Sequence, residues 1–237
     1  GIVGNVNRLG RRTRGIRLAF TLALLLTSTR AFAETHCRAP IDGSPALADI
    51  DGRARLDWIN QRLSHDGHRM AVWNWGWAIG IGAAGVGTLI PVPFVAPENR
   101  VDYYTGAVLA GLGVLPFVLA PPKVIEDSQT LRARLERQPP RNDQEVCALL
   151  ADAEARLIRD ARNEHLMDGW WAHAANVAIN GAGFLFLGLG YHHWTSAIAN
   201  GLAGVAIGEA VIFTQPTGSI DSRDHYLRAD LLPPDGH

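Results

Sequence analysis

The sequence predicts an all-helical integral membrane protein with four membrane-spanning helices, arranged as two hairpins in tandem. Three observations predict this fold class. Lysine, arginine, aspartate and glutamate are absent from residues 70–97, 103–122 and 169–208, although 19% of the 237 residues are charged. A helix needs about 20 predominantly apolar residues to cross a hydrocarbon core of about 30 Å, so stretches of this kind predict membrane-spanning helices. Paired glycine-rich apolar segments separated by short turns indicate hairpins, and a basic stretch near the N-terminus precedes a further apolar run.

Residues 1–33 have the three parts of a secretory signal peptide. Five arginines precede the apolar run 18–26, and a polar stretch then ends in Ala31-Phe32-Ala33. We expect cleavage after Ala33. Six of the 22 basic residues and none of the acidic residues lie in this segment, so the rest of the chain has 16 basic and 23 acidic residues. This acidic balance argues against binding to nucleic acid.

The first predicted unit, residues 34–122, contains a polar helix and a hairpin of two spans. Asp51 can cap the polar helix, which carries apolar residues on one face. The first span covers residues 71–93 and ends in a proline-rich turn. The second span, residues 103–120, returns across the bilayer and ends at two further prolines.

The second predicted unit, residues 123–216, repeats this plan. Its polar connector contains an amphipathic helix from about Asn142. The spans 170–190 and 195–214 follow, and only four residues separate them, so they must be antiparallel neighbours. A polar tail, residues 217–237, ends the chain. The apolar stripe of the amphipathic helix consists of Val146, Leu150, Ala153, Leu157 and Ala161.

The two units share an order of features that predicts a duplication. Each contains a cysteine, an Ala-Arg-Leu in its polar helix (54–56 and 155–157) and two glycine-rich spans, and after each pair of spans come a proline and a polar stretch with Leu-Arg-Ala (131–133 and 227–229). Because each unit has two spans, both copies would keep the same orientation, as in a parallel repeat. The alternative is convergence, since glycine-rich hairpins resemble one another.

The predicted signal peptide sets the expected orientation in the inner membrane. Its basic end stays in the cytoplasm, so residues from Glu34 onward are expected on the other side. Four spans return the C-terminus there, which makes the polar segments and the amphipathic helices extracytoplasmic. The 15 basic residues in those segments oppose this orientation. The positive-inside rule, however, weakens for long translocated segments.

Cys37 and Cys147 are the two cysteines of the chain, and they occupy matching places in the two units. The expected orientation puts both in an oxidising compartment. We therefore expect them to form one disulfide. The alternative is two buried, unpaired thiols.

Glu209 is the one acidic residue inside a predicted span, and an intramembrane carboxylate is a functional lead by default. If the second hairpin turns near residues 192–193, equal rise along antiparallel helices brings Asn176 level with Glu209. His173 then lies one turn nearer the outer surface. The cluster is interpreted either as a proton or cation site or as a hydrogen-bonded clamp. The clamp is preferred because interhelical polar pairs are common and a single carboxylate makes a poor ion site.

Glycines are frequent in the spans, and small residues let helix backbones approach closely in lipid. Gly76 with Gly80, and Gly204 with Gly208, have the small-xxx-small spacing. We expect both pairs to lie at contacts between helices.

The leading functional hypothesis is a structural or assembly component of the inner membrane that exposes helical segments outside the cytoplasm. It would contact lipid and either itself or another membrane or periplasmic protein. No constellation of residues indicates catalysis, and none predicts a cofactor or metal site. The alternative hypothesis is a transporter or channel subunit that uses the cluster around Glu209. A third is a membrane haem or redox protein, which rests on histidines in and near the spans.

Overall fold

A computed structural model describes residues 34–231 of the chain. All regular secondary structure in these residues is helical, and four helical segments are long and apolar enough to span a membrane. The predicted all-helical fold with four spans is therefore confirmed. The predicted signal peptide, residues 1–33, lies outside the described residues, as do residues 232–237.

Seven α-helices follow one another in the described part of the chain. They are α1 (Gly52–Leu89), α2 (Arg100–Leu119), α3 (Lys123–Arg137), α4 (Asp143–Met167), α5 (Trp170–Leu185), α6 (Trp194–Phe213) and α7 (Gly218–Leu227). Short 3-10 helices lie at Pro45–Asp49, Val92–Phe94 and Pro97–Asn99, and a π-helical turn, Phe186–Gly190, extends α5.

Helix α1 is 38 residues long and continues from the polar segment into the first span without a break. The Asp51 carboxylate caps it by accepting hydrogen bonds from the backbone N–H groups of Arg53 and Ala54, each at 3.0 Å. At 1.5 Å per residue the helix is about 57 Å long. That is nearly twice the thickness of a hydrocarbon core of about 30 Å. No proline interrupts α1, and Pro91 follows its end.

The first half of α1 packs with α3, α4 and α7 into a helical domain next to the spans. The apolar stripes predicted for α1 and α4 lie in one core and cover each other. Asn142 caps α4 by accepting a hydrogen bond from the Glu145 N–H at 2.9 Å. Buried core residues include Leu56, Ile59, Leu63, Val146, Leu150, Ala153 and Leu157.

The predicted polar tail contributes to this domain. It contains α7, in which Ser219, Ser222 and Tyr226 are buried. The sequence of the tail is polar on average, but one face of α7 packs against α4. The tail is therefore part of the folded domain at least as far as the end of α7.

The four spans form two hairpins, in which the second half of α1 packs against α2, and α5 packs against α6. Helix α2 contacts both α5 and α6 and so joins the hairpins. Glycine permits the closest approach here. A Cβ atom at Gly183 would lie 2.6 Å from Cδ1 of Leu109, and one at Gly85 would lie 2.8 Å from Cβ of Ala110.

The prediction that Gly76 and Gly80 lie at a helix contact is wrong, because no other helix in the described part of the chain packs against them. A Cβ atom at either position would meet nothing within 4 Å. Both glycines face outward from the bundle. The prediction failed because glycine spacing shows where close approach is permitted and does not show which helix is near.

Candidate functional site

Glu209 on α6 is held by two side chains of α5. One carboxylate oxygen lies 2.6 Å from Nδ1 of His173, and the other accepts a hydrogen bond from Nδ2 of Asn176 at 2.9 Å. The structure thus brings together the three residues that the sequence placed in one polar cluster. Only residues 191–193 separate the π-helical extension of α5 from α6. This short turn fixes the alignment of the two helices, which is why counting residues from it located the partners.

Asn180 extends this cluster one turn further from the helical domain. Its Nδ2 donates to Oδ1 of Asn176 at 2.8 Å and to the Asn176 carbonyl at 2.9 Å. Gly208 and Gly204 make room for the two amides, because a Cβ atom at either glycine would clash with an amide oxygen. Here the small-xxx-small pair admits polar side chains between two helices.

A second carboxylate–histidine pair lies at the other end of the spans, next to the turns. Asp102 of α2 has one oxygen 2.7 Å from Nδ1 of His193, and the other accepts a hydrogen bond from Oγ of Ser196 at 2.7 Å. The carboxylate lies at the N-terminus of α6, where the helix dipole favours negative charge. Sequence reasoning missed this tie between the hairpins. Its only local signal is an acidic residue in the first turn of α2.

The hairpins are also tied at the end next to the helical domain. Nε1 of Trp73 and Nε1 of Trp77 both lie within hydrogen-bond distance of Oγ1 of Thr214, at 3.2 and 3.0 Å. Both tryptophans are on α1, and Thr214 ends α6. Polar contacts therefore join the first hairpin to the second at both ends.

Between these ties lies a cavity of about 470 Å³ that all four spans line. This volume is within the range of about 300–1,000 Å³ that is typical of ligand sites. The lining is mostly apolar or small. Its polar members are Asn74, Thr88, Asn176, Asn180 and Asn200.

Asn74 lies in the wall of this cavity, near the helical domain, and is fully buried. Its Nδ2 donates to the carbonyl oxygen of Phe117 at 3.2 Å. That carbonyl has no helical donor because Pro121, four residues later, has no N–H. The Oδ1 atom of Asn74 has no hydrogen-bond partner within the described part of the chain. An acceptor without a donor thus lies at one end of the cavity.

In the helical domain, Cys37 and Cys147 form a disulfide with their Cα atoms 5.4 Å apart. This separation is usual for the bond. The bridge links the segment before α1 to the first turns of α4. The two cysteines are 110 residues apart in the sequence, so the bond joins the two predicted units.

Arg55 is the buried centre of a polar network in the same domain. Its guanidinium donates to the Tyr226 hydroxyl at 2.9 Å and to the carbonyls of Cys37 and Leu47 at 3.1 and 3.0 Å. It also pairs with the Glu154 carboxylate at 2.5 Å. Burial and the Glu154 carboxylate raise the pKa of the Tyr226 hydroxyl, so this group stays a donor. The sequence showed Arg55 only as part of a repeated motif.

Two further acids of the domain are buried on α4. Burial raises the pKa of Glu164 to about 7, although hydrogen bonds from Ser219 and Ile220 favour its charged form. Burial and the adjacent Asp127 carboxylate together raise the pKa of Asp160 to about 8. Asp127 is itself paired with two arginines of α4, Arg156 and Arg159.

The haem hypothesis rests on His68, His173, His192 and His193, and the two of them that contact carboxylates in the second hairpin, His173 and His193, are far apart. His173 lies in the first turn of α5 and His193 directly precedes α6, at the opposite end of the spans. Each is paired with a carboxylate. Among residues 34–231, no group of three or more His, Cys, Asp and Glu side chains is arranged to hold a metal ion.

Comparison of the chain with protein-family models, curated proteins and solved structures finds no match.

Proposed function

We propose that this chain is a structural component of the inner membrane, in which four spans hold a folded helical domain on the extracytoplasmic face. Helix α1 carries the proposal. It contributes Leu56, Ile59 and Leu63 to the domain core and then continues as the first span. An unbroken helix transmits position and rotation, which a flexible linker does not. The domain would therefore be presented at a fixed height and angle above the bilayer.

The disulfide supports the extracytoplasmic side for the domain. Cys37 and Cys147 both belong to it, and disulfides persist in oxidising compartments such as the periplasm. The predicted signal peptide leads to the same side. An even number of spans then leaves α7 there as well, which is consistent with the packing of α7 against α4.

Contacts between the halves support descent from one duplicated unit. When α3 is counted with the first half and α7 with the second, the order in both halves is polar helix, span, span, polar helix. The arginine of each Ala-Arg-Leu reaches the polar helix that closes the other half: Arg55 donates to Tyr226 on α7, and Arg156 donates to Asp127 on α3. Two copies related by an axis along the membrane normal would exchange contacts in this way.

The proposed role requires the domain to be held for a partner, which is either a second copy or another envelope protein. Cross-linking in native membranes, followed by native mass measurement in mild detergent, should give a species heavier than one chain. Inserting two glycines after Arg69, within α1, should abolish that species because it decouples the domain from the span. The matched insertion after Asp168, where α4 already ends, should retain it. Recovery of only single chains from the wild type would contradict the proposal.

A transporter or channel subunit is the second candidate, and the polar groups along the spans favour it. Glu209 with His173 lies near one end of the spans, Asp102 with His193 lies at the other, and asparagines line the cavity between them. Proton or cation flux into liposomes that contain the protein should then fall in Glu209→Gln while assembly is unchanged. A clamp predicts no flux in either protein and a lower thermal midpoint in the variant.

A further inference from the structure

The cavity between the hairpins follows the spans and lies at membrane depth. On α1 its lining extends from Trp73 to Thr88. At 1.5 Å per residue this distance along the helix is about 22 Å. That is about three quarters of a hydrocarbon core of about 30 Å. The length and the mostly apolar lining therefore suit an extended hydrocarbon chain and do not suit a compact polar solute.

The way the hairpins are joined explains why the cavity does not close. They are tied by Trp73 and Trp77 at one end and by Asp102 at the other. In lipid no hydrophobic force drives two helices together, because the acyl chains are as apolar as the side chains. An empty apolar space would forgo dispersion contacts along its whole lining. In the bilayer an acyl chain can supply those contacts.

The polar end of the cavity specifies more than a hydrocarbon. Oδ1 of Asn74 is buried without a donor, while its Nδ2 is occupied by the Phe117 carbonyl. Leaving a buried acceptor unpaired is unfavourable. Asn74 also lies beside Trp73 and Trp77, and tryptophans concentrate at the level of lipid head groups. A donor on a lipid head group would thus lie at the same depth in the membrane as Asn74.

We propose that the cavity binds one acyl chain of a phospholipid whose head group donates a hydrogen bond to Oδ1 of Asn74. The shared chemistry is a donor on the head group, supplied either by an ammonium group or by a hydroxyl group. A lipid with the same chains and no head-group donor binds less well. This site is independent of the structural role proposed above, since it does not require a protein partner.

The test uses the full chain in nanodiscs. Phosphatidylcholine, which has no head-group donor, is mixed with an equal amount of either phosphatidylethanolamine or phosphatidylglycerol. Native mass spectrometry then counts the lipids that stay bound to the protein after it is released from the nanodisc. We expect one retained lipid per chain, with a preference of about tenfold over phosphatidylcholine, which corresponds to about 1.4 kcal/mol. The two mixtures show whether an ammonium or a hydroxyl is the better donor. Release without any bound lipid, or equal retention of phosphatidylcholine, would overturn the proposal.

Two glycines of α2 provide a matched pair of variants. Gly113 lines the cavity, and a Cβ atom there would make an ordinary contact with Ile81 at 3.6 Å. Gly111 has open space around it and is not part of the lining. Gly113→Leu should fill the cavity and lose the bound lipid, whereas Gly111→Leu should retain it. Equal lipid retention in the two variants would refute the binding of an acyl chain in the cavity.

Asn74→Leu distinguishes recognition of the lipid head group from binding of the acyl chain. The leucine is similar in size but has no acceptor, so the variant should still retain one lipid and should no longer distinguish phosphatidylcholine from the donor lipids. An unchanged preference would show that Asn74 does not bind the head group. An intact disulfide, checked on a non-reducing gel, identifies variants that have folded.

Discussion

The helical domain and the membrane bundle are both built from α-helices, but the helices of the domain are apolar on one face, those of the bundle also expose apolar side chains, and the two regions are held together differently. In the domain the apolar stripes of α1 and α4 meet in a closed core around the buried Arg55. In the bundle the two hairpins touch through α2 and through polar ties at both ends, with a cavity between.

The difference follows from the solvent around each region. Water drives apolar surfaces of the domain together in proportion to the area buried. Lipid provides no such force between helices, so the bundle depends on close backbone approach and on interhelical hydrogen bonds. Interhelical hydrogen bonds in lipid contribute only about 0.6 kcal/mol each on average, whereas breaking a buried ion pair costs about 3–5 kcal/mol. We therefore expect substitutions of buried polar groups to have larger effects in the domain than in the bundle.

The largest effect is expected from Arg55→Met. The change leaves the Glu154 carboxylate buried without its partner, and breaking a buried ion pair costs about 3–5 kcal/mol. Thermal unfolding in detergent can be followed by circular dichroism and by tryptophan fluorescence, to which Trp58, with its ring centroid 5.7 Å from that of Tyr226, contributes with the six other tryptophans. Arg132→Ala is the control, because its pair with Glu136 is exposed and such pairs contribute about 0–1 kcal/mol.

Comparable midpoints for Arg55→Met and the control would mean that the network does not stabilise the domain. A second variant checks the cause. Adding Glu154→Gln to Arg55→Met removes the unpaired charge and should recover part of the lost stability.

The disulfide should have the next largest effect. Replacing Cys37 and Cys147 by serine removes a cross-link between residues 110 apart, and loss of such a link typically costs about 2–4 kcal/mol. The thermal midpoint should fall in the double variant, and reductant should lower it in the wild type only. Labelling of the native protein by a thiol reagent would show that the bond does not form.

Some of the site could be predicted from the sequence because the chain itself fixes the geometry. A short turn aligns α5 with α6, so counting residues from it places Asn176 opposite Glu209. The pairing of Arg55 with Tyr226 could not be found in this way, since 171 residues separate them. Nothing near Arg55 distinguishes a buried arginine from an exposed one.

The continuity of α1 had a signal that composition concealed. Residues before 70 are polar and those after are apolar, which suggests two elements, but no proline separates them. A change of solvent along a helix is not a change of backbone structure. The tie between Asp102 and His193 was missed for the same reason as Arg55, because 91 residues separate the partners.

A pH dependence should arise in the domain from its buried acids. The pKa of Asp160 is raised to about 8 and that of Glu164 to about 7, so the folded protein holds protons that the unfolded chain releases. The stability that these two acids contribute is fully present below about pH 4 and is lost as the pH rises to about 8. Asp160→Asn should flatten this decline, measured as thermal midpoint against pH, while the exposed control Glu126→Gln should not. A midpoint that rises over this interval would contradict the raised pKa values.

The smallest effects should come from glycines on the open face of α1. A Cβ atom at Gly76 would meet nothing, whereas one at Gly208 would clash with the amide of Asn176. Gly76→Ala should therefore leave the thermal midpoint in detergent nearly unchanged, and Gly208→Ala should lower it because Asn176 loses its place between α5 and α6. If Gly76→Ala instead reduced the native mass of the assembly, the open face would be a contact with a second chain. Close packing through small residues would then act between molecules, where the single chain leaves that face uncovered.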